Sequence, residues 1–193
     1  MDKHKFQGKY RIESTRLKDY DYSRNGAYFV TICTKNSMHL FGSIVDQKLI
    51  PNRQAEVLTE CWLDLPAHYT NCVLDKFIIM PNHVHGIIII DNEIAETGLK
   101  LNNTIVETGL KPVSTAGRVA KPYPLSEIIR GFKTFSARRI NEYQNTRGKA
   151  FWQSRFFDHI IRNREELKRI RQYIIENPLK WELEKNNHEN LFM

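Results

Sequence analysis

The chain has 193 residues, of which 41% are hydrophobic, 26% charged and 11% aromatic. This apolar content suffices for one folded core and excludes a chain that is disordered throughout. The most apolar stretch, residues 77–90, is interrupted by Pro81 and two histidines and is too short for a membrane helix, so we expect no membrane partner. Residues 1–11 are too polar for a signal peptide, and the three cysteines contain no Cys-x-x-Cys pair, which predicts a cytoplasmic protein.

The net charge of +7 is distributed unevenly along the chain. Residues 1–24 carry +3 and residues 120–172 carry +8, whereas the two remaining segments carry −2 each. This concentration of positive charge indicates a polyanionic partner, because each neutralised phosphate releases counterions. A basic face that is only solvated is the alternative.

The hydrophobic pattern predicts strands and helices in alternation. Alternating apolar residues predict strands at 27–35, 73–80, 84–90 and 156–161, and a short hairpin at 39–46 and 48–50. Helical spacing predicts helices at 53–69, with Pro66 in the last turn, at 125–143 and at 164–176. Asn163 and Glu166 form a predicted capping box at the start of the last helix, and Pro178 is expected to end it.

Without the hairpin, this order contains βαββαβ, the pattern of ferredoxin-like sheets. We therefore predict an α+β fold with a ferredoxin-like or RRM-like antiparallel sheet, helices on one face and a further C-terminal helix. The domain is expected at residues 26–182, between a polar arm at 1–25 and a polar tail at 183–193. Residues 91–122 contain the sequence ETGLK twice and are predicted to be an inserted flexible loop.

Two pairs of polar residues are candidates for a catalytic site. His83 and His85 are two apart on a predicted strand, which puts both imidazoles on one face, an arrangement suited to a divalent metal or to a purely structural pair. Tyr173 and Asn177 are four apart on a predicted helix and share one face, where they could serve a metal-bound phosphate or lie on the surface. Ile87 and Ile88 follow Gly86, which excludes a His-x-His-x-Asp-His zinc hydrolase motif.

Several segments together resemble the single-tyrosine HUH transposases of the insertion-sequence type, and in particular the branch of REP-associated tyrosine transposases. The likeness runs from about residue 16 to residue 181 and departs at residues 91–122. The segments that carry it are DYS at 21–23, GAYFVTICT at 26–34, MPNHVHG at 80–86, FWQ at 151–153 with FDHIIR at 157–162, and RQYIIENP at 171–178.

The resemblance implies metal-dependent cleavage and rejoining of single-stranded DNA at hairpin-forming, palindromic sequences through a 5′-phosphotyrosine intermediate. It implies Tyr173 as the nucleophile and Mg²⁺ or Mn²⁺ held by His83, His85 and Asn177. Asn177 stands where related insertion-sequence enzymes often carry Gln. The expected partner is single-stranded or hairpin DNA in the nucleoid, and a monomer and a homodimer both stay open.

Cations of the arm and of the basic segment are the predicted phosphate contacts. They are Arg16, Lys18, Arg130, Lys133, Arg138, Arg139, Arg155 and Arg162. Tyr123, Phe151 and Trp152 lie among these charges and are candidates for base stacking, with core packing as the alternative for the last two. His159 is expected to be a structural histidine or to orient other groups, and not to bind the metal.

Two other classes of function stay open at this point. One is a domesticated transposase that binds a nucleic-acid hairpin without cutting it. The other is a metal-dependent phosphodiesterase that uses water as the nucleophile. A covalent protein–DNA adduct would distinguish the transesterase from both.

Overall fold

The computed structural model of the protein describes residues 5–6, 9–10, 17–97 and 122–185. Arg16, the polar tail beyond residue 185 and most of the predicted insertion lie outside the described residues. The described elements are, in chain order, β1 Lys5–Phe6, β2 Lys9–Tyr10, β3 Gly26–Cys33, β4 Gly42–Val45, β5 Lys48–Pro51, α1 Arg53–Leu63, α2 Leu65–His68, β6 Cys72–Met80, β7 His83–Ile90, α3 Asn92–Thr97, α4 Leu125–Tyr143, β8 Phe157–Ile161 and α5 Arg164–Lys185.

The centre of the fold is an antiparallel sheet of four strands in the order β6-β7-β3-β8. This is the strand order of a ferredoxin-like sheet, so the predicted α+β class and topology are confirmed. The predicted hairpin forms the separate pair β4-β5. Strand β3 lies between β7 and β8, and its apolar residues alternate between the two faces of the sheet.

Helices cover both faces of this sheet. On one face, Tyr28, Val30 and Ile32 of β3 pack in the main core with α1 and α4, which contribute Trp62 and Phe132 among others. On the other face, a smaller cluster joins Phe29, Ile87 and Ile161 to Ile174 of α5. The helix with the candidate tyrosine therefore packs on the face opposite to α1 and α4.

Helix α5 continues to Lys185, so the prediction that Pro178 ends it is wrong. A proline inside a helix removes one hydrogen bond and typically costs about 3 kcal/mol. The turn after Pro178 has tertiary contacts that oppose this cost. The Trp181 ring lies 5.4 Å from the ring of His39, and the Glu182 carboxylate accepts a hydrogen bond of 3.0 Å from the Gln47 N–H.

Three other boundaries differ from the sequence-based prediction. The helix predicted at 53–69 is divided into α1 and α2, and Pro66 lies in the first turn of α2, where a missing N–H costs little. The first residues of the predicted 91–122 loop form α3. In the predicted arm, the rings of Tyr20 and Tyr22 contact Tyr28 of β3, so packing begins before residue 26.

The two ends of the predicted insertion lie beside each other because both are bonded to Asn71. Its buried amide nitrogen donates to Asn92 Oδ1 at 2.9 Å and to the carbonyl of Tyr123 at 3.0 Å. A long segment whose two ends are adjacent can be inserted without moving the strands and helices of the domain apart. The domain boundaries themselves stay predictions.

The three cysteines at positions 33, 61 and 72 are free, as expected. No helix in the described part of the chain is both long enough and apolar enough to cross a bilayer.

Gly86 lets the main core approach the strand that carries the two histidines. A Cβ atom at this position would lie only 2.3 Å from Cζ2 of Trp62, whose side chain is completely buried. A larger residue would push Trp62 out of its packing or shift β7.

We expect Gly86→Ala to lower the free energy of unfolding by about 1–3 kcal/mol through overpacking. Gly26→Ala is the matched control, because a Cβ on this β3 glycine meets its nearest atom at an ordinary 3.5 Å. Chemical denaturation of both variants measures the difference. Equal stability of the two variants would contradict the proposed role of Gly86.

Candidate active site

The two histidines of β7 face helix α5 and direct one nitrogen each toward the same point. His83 and His85 are alternate residues of the strand, so their rings share a face. Their Nε2 atoms are 3.0 Å apart and their ring centroids 4.4 Å apart. Two neighbouring nitrogens that converge in this way can bind one cation.

A second hydrogen bond orients each imidazole. His83 Nδ1 donates to Asn82 Oδ1 at 2.6 Å, and His85 Nδ1 is bonded to the Thr31 hydroxyl at 2.9 Å. Thr31 lies directly opposite His85 in the β3–β7 register. Partners of this kind fix the ring orientation of metal-binding histidines, and they leave both Nε2 atoms directed into the site.

Burial keeps both imidazoles neutral at physiological pH. Desolvation lowers the pKa of His83 to about 4, although its hydrogen bond with Asn177 acts in the opposite direction. Desolvation and the neighbouring His83 lower the pKa of His85 to about 3. Neutral imidazoles have free nitrogen lone pairs, which a metal ligand needs.

Helix α5 places Tyr173 directly beside this pair. The Tyr173 hydroxyl is 3.4 Å from His85 Nε2, and its ring packs edge-on against Phe29 at 5.9 Å. Phe29 in turn stacks on His85 at 5.2 Å, so one side chain positions both groups. Tyr173 keeps 37% of its surface exposed, so a substrate can reach its side chain.

The next turns of α5 complete the site. Asn177 is buried and hydrogen-bonds His83, and the Lys180 ammonium lies 4.9 Å from the centroid of the Tyr173 ring. Trp181 covers His83 at 5.8 Å between ring centroids. Together these side chains line a cavity of about 300 Å³, whose walls are Thr31, Cys33, His83, His85, Tyr173, Asn177, Lys180 and Trp181.

The structure thus brings together the four residues that the sequence singled out, at positions 83, 85, 173 and 177. Sequence reasoning missed Thr31, Lys180 and Trp181. The expected end of the helix at Pro178 excluded the last two, whereas the alternation of β3 could have placed Thr31 on the face of the histidines.

The donor set fits a divalent cation. Within residues 17–94 and 122–183, whose side chains are described, no group of three His, Cys, Asp or Glu residues could hold a metal ion. The site instead offers two neutral imidazole nitrogens and the amide of Asn177. A set of two or three protein ligands leaves coordination positions free for phosphate oxygens and water.

Four of the predicted phosphate contacts lie on α4, on the opposite side of the sheet. Three of them are near acidic groups: Arg139 is 2.8 Å from Glu60, Arg130 is 3.4 Å from Glu127 and Arg138 is 4.0 Å from Glu142. The Lys133 ammonium donates to the carbonyls of Gln153 and Ser154. These cations therefore do not line the cavity of the histidine pair.

The remaining predicted contacts are more scattered. Arg155 precedes the edge strand β8, Arg162 follows it, and both are exposed, as is Lys18. His159 lies on β8 and is bonded to Glu166 at 2.8 Å, and its role stays a prediction.

Two of the aromatic candidates are core residues. Phe151 and Trp152 are buried, and the indole N–H of Trp152 donates to Ser136 at 3.1 Å. Phe151 and Trp152 therefore pack in the core, which was the alternative to base stacking. Tyr123 is half-buried and packs edge-on against Tyr69.

Comparisons with known proteins identify one family model and several relatives. Residues 118–177 match the family model of IS200-like transposases, a span that includes Tyr173 and Asn177. The chain is 35% identical over 179 residues to an uncharacterised protein of Haemophilus influenzae, which covers 91% of this chain and 92% of that protein.

Among solved structures, a REP-associated tyrosine transposase bound to a REP hairpin has a similar fold. The TM-score is 0.54 at 16% identity, with 88% of this chain and 74% of that chain covered. A putative transposase from Deinococcus radiodurans is also similar, with a TM-score of 0.40 at 17% identity over 86% of this chain and 98% of that chain.

Proposed function

Because the chain belongs to the IS200-like transposase family, we propose that it cleaves and rejoins single-stranded DNA through a covalent bond to Tyr173. One observation carries this proposal: the Tyr173 hydroxyl lies 3.4 Å from a nitrogen of the converging histidine pair. A nucleophile and a cation site at this distance can act on the same phosphate. Transposition and recombination of DNA are the reactions in which such cleavage is used.

In the proposed step, the Tyr173 oxygen attacks the scissile phosphorus. A bond forms between this oxygen and phosphorus, and the bond from phosphorus to the 3′-oxygen breaks. The phenol loses its proton, and the departing 3′-oxygen gains one, so the products are a 5′-phosphotyrosine and a free 3′-hydroxyl. The covalent link conserves the ester, and a second 3′-hydroxyl can therefore reverse the step without an external energy source.

Charge on the phosphate must be offset for this attack to succeed. A divalent cation, Mg²⁺ or Mn²⁺, bound by His83, His85 and Asn177 would supply Lewis-acid stabilisation of the phosphate oxygens. Thr31 and Asn82 hold the two imidazoles in the orientation that ligation requires. Lys180 adds a positive charge in the same cavity, next to the nucleophile.

All of these groups come from one chain. The geometry therefore supports cleavage by the Tyr173 of the same protomer that provides the histidines. The residues of one protomer are therefore sufficient to form the proposed site.

The proposed DNA partner is a single strand that forms a hairpin. The structural relative with the same fold is bound to a REP hairpin, and the excess of charge in residues 120–172 of this chain suits a polyanion. A palindromic strand folded on itself would offer both a shape to recognise and an unpaired scissile site.

The nucleophile and the polarity of the break can be tested with labelled DNA. An oligonucleotide labelled at its 3′ end should migrate with the denatured protein, whereas one labelled at its 5′ end should be released. Tyr173→Phe removes one oxygen atom and should abolish the adduct while DNA binding and folding stay unchanged. Tyr143→Phe is the control, because Tyr143 is an exposed tyrosine at the end of α4.

Three results would contradict this mechanism. They are an adduct with the opposite label, an adduct that persists in Tyr173→Phe, and a free 5′-phosphate product without any adduct. The last result would indicate a phosphodiesterase that uses water. DNA binding without any product would indicate a binding protein.

Metal binding should separate from DNA binding by mutation. His83→Ala and His85→Ala should abolish detectable cleavage and Mn²⁺ binding, while DNA affinity in metal-free buffer changes by less than about threefold. Thr31→Val should weaken Mn²⁺ binding by about 10–100-fold, because it removes an orienting partner and not a ligand. Asn177→Ala should have a milder effect than either histidine variant, since water can occupy one coordination position.

His68→Ala is the matched control, because His68 is an exposed histidine of α2 that pairs with Asp64. Calorimetry with Mn²⁺ and a cleavage assay measure the two effects. Intact cleavage by either of the β7 variants would refute the metal assignment.

DNA binding should depend strongly on salt and on strand structure. We expect affinity for a hairpin or single strand to fall roughly tenfold or more between about 50 and about 200 mM salt, because phosphate contacts release counterions. Fluorescence anisotropy against a plain duplex of the same sequence measures the preference. Equal affinity for the duplex, or no salt dependence, would contradict the proposed substrate.

A further inference from the structure

Tyr173 separates two cavities, of which the proposed chemistry uses only one. The cavity of the histidine pair measures about 300 Å³, and a second cavity of about 380 Å³ lies on the other side of the tyrosine. Among the described residues, Tyr173 alone lines both. The second cavity is lined by Phe29, Phe157, His159, Glu166, Arg169, Ile170 and Tyr173.

The sheet register places this second cavity beside the reacting groups. Phe157 of β8 pairs with Thr31 of β3, and Thr31 pairs with His85 of β7, so the three side chains form one row on one face. Strands are spaced about 4.8 Å apart, which puts Phe157 about 10 Å from His85 along the row. A phosphate held at Tyr173 therefore has its own flanking nucleotide within reach of the second cavity.

The walls of this cavity suit a nucleobase. Phe157 exposes 48% of its surface, although it lies on a strand next to a buried cluster. Phe29 and Ile170 add an apolar floor under it. An exposed aromatic ring over such a floor is a platform on which a base of any sequence can stack.

The charges in the cavity define which part of a nucleotide enters it. Glu166 accepts hydrogen bonds from the Arg162 N–H and from His159, and these bonds lower the pKa of its carboxyl and keep it ionised. This carboxylate repels a phosphate from its wall. Arg169 lies one helical turn before Tyr173 and has no ion-pair partner among the described residues. Its guanidinium can therefore contact a phosphate that lies next to Tyr173.

We propose that the cavity between β8 and α5 binds the base of a nucleotide directly flanking the scissile phosphate, with Phe157 as the stacking surface and Arg169 as the contact to the adjoining phosphate. This inference rests on the proposed function, since it assigns a place to the strand that Tyr173 attacks. The inference assigns substrate positioning to Phe157 and Arg169, neither of which is among the phosphate contacts predicted from the sequence. Base stacking of this kind holds the strand in place without recognising its sequence.

The base-binding part is tested with 2-aminopurine, a fluorescent base whose emission falls when it stacks. It is placed in turn at each unpaired position of a hairpin oligonucleotide, and binding is measured with Tyr173→Phe, so that no cleavage occurs. One position should be quenched, and Phe157→Ala should abolish this quenching and weaken binding roughly tenfold. Phe157→Tyr should restore both, whereas Phe157→Leu, which keeps apolar volume without a ring, should not.

Phe135→Ala is the matched control, because Phe135 is an exposed phenylalanine of α4 on the opposite side of the sheet. An abasic site at the quenched position should weaken DNA binding by the Tyr173→Phe protein. The same abasic site should not change DNA binding by the protein that also carries Phe157→Ala. If no position shows quenching that depends on Phe157, or if the Phe135 variant behaves in the same way, the subsite is refuted.

The phosphate part is tested by the salt dependence of binding. Arg169→Gln should lower the slope of log affinity against log salt by about 0.7, the value for one contact to a single strand. Arg164→Gln, at the exposed start of the same helix, is the control and should change it less. Equal slopes for the two variants would refute the role of Arg169.

The two proposals fail in different ways. Quenching that depends on Phe157 without any covalent adduct from the wild-type chain would retain the base site and refute the transesterase. An adduct without such quenching would retain the transesterase and refute the base site. If both hold, the quenched position must be next to the cleavage position that the adduct defines.

Discussion

The packing of helix α5 across strands β3 and β7 is the constraint on which the candidate site depends. Ile174 of this helix packs in the buried cluster on this face of the sheet, and Tyr173 and Asn177 lie at nearby positions that face the histidines. The helix must also pass through Pro178 without ending, because Lys180 and Trp181 lie beyond it. Contacts of Trp181 and Glu182 with the region of β4 and β5 oppose the cost of this proline. A small hairpin far from the nucleophile thus helps to complete the site.

Burial gives the histidine pair its chemical character. The same desolvation that would disfavour two charged imidazoles keeps them neutral, and neutral imidazoles are available as ligands. Because β7 also lines the main core, Gly86 and Trp62 support the strand from the opposite face. Stability of the core and geometry of the site are therefore coupled through a single strand.

The two faces of the sheet differ in their relation to the site. The four cations of α4 lie opposite to the histidine pair, and three of them are near glutamates while Lys133 is bonded to backbone carbonyls. Two cations of α5 are next to the nucleophile instead: Arg169 lines the cavity between β8 and α5, and Lys180, which is 3.4 Å from Glu176, lines the cavity of the histidine pair. A strand held at Tyr173 would meet these two charges first, and a hairpin stem would have to extend around the edge strand β8 to reach α4.

The sequence by itself determined the features that depend on local periodicity. Alternation placed His83 and His85 on one face of a strand, and helical spacing placed Tyr173 and Asn177 one turn apart, because both patterns are set by neighbouring residues. The topology also followed from the order of the elements. Only the tertiary structure decided that α5 passes through Pro178, that Thr31 orients His85, that Phe151 and Trp152 belong to the core, and that the basic helix α4 lies on the far face. Each of these depends on contacts between residues distant in the chain, and the energy of such contacts can exceed a local preference of a few kcal/mol.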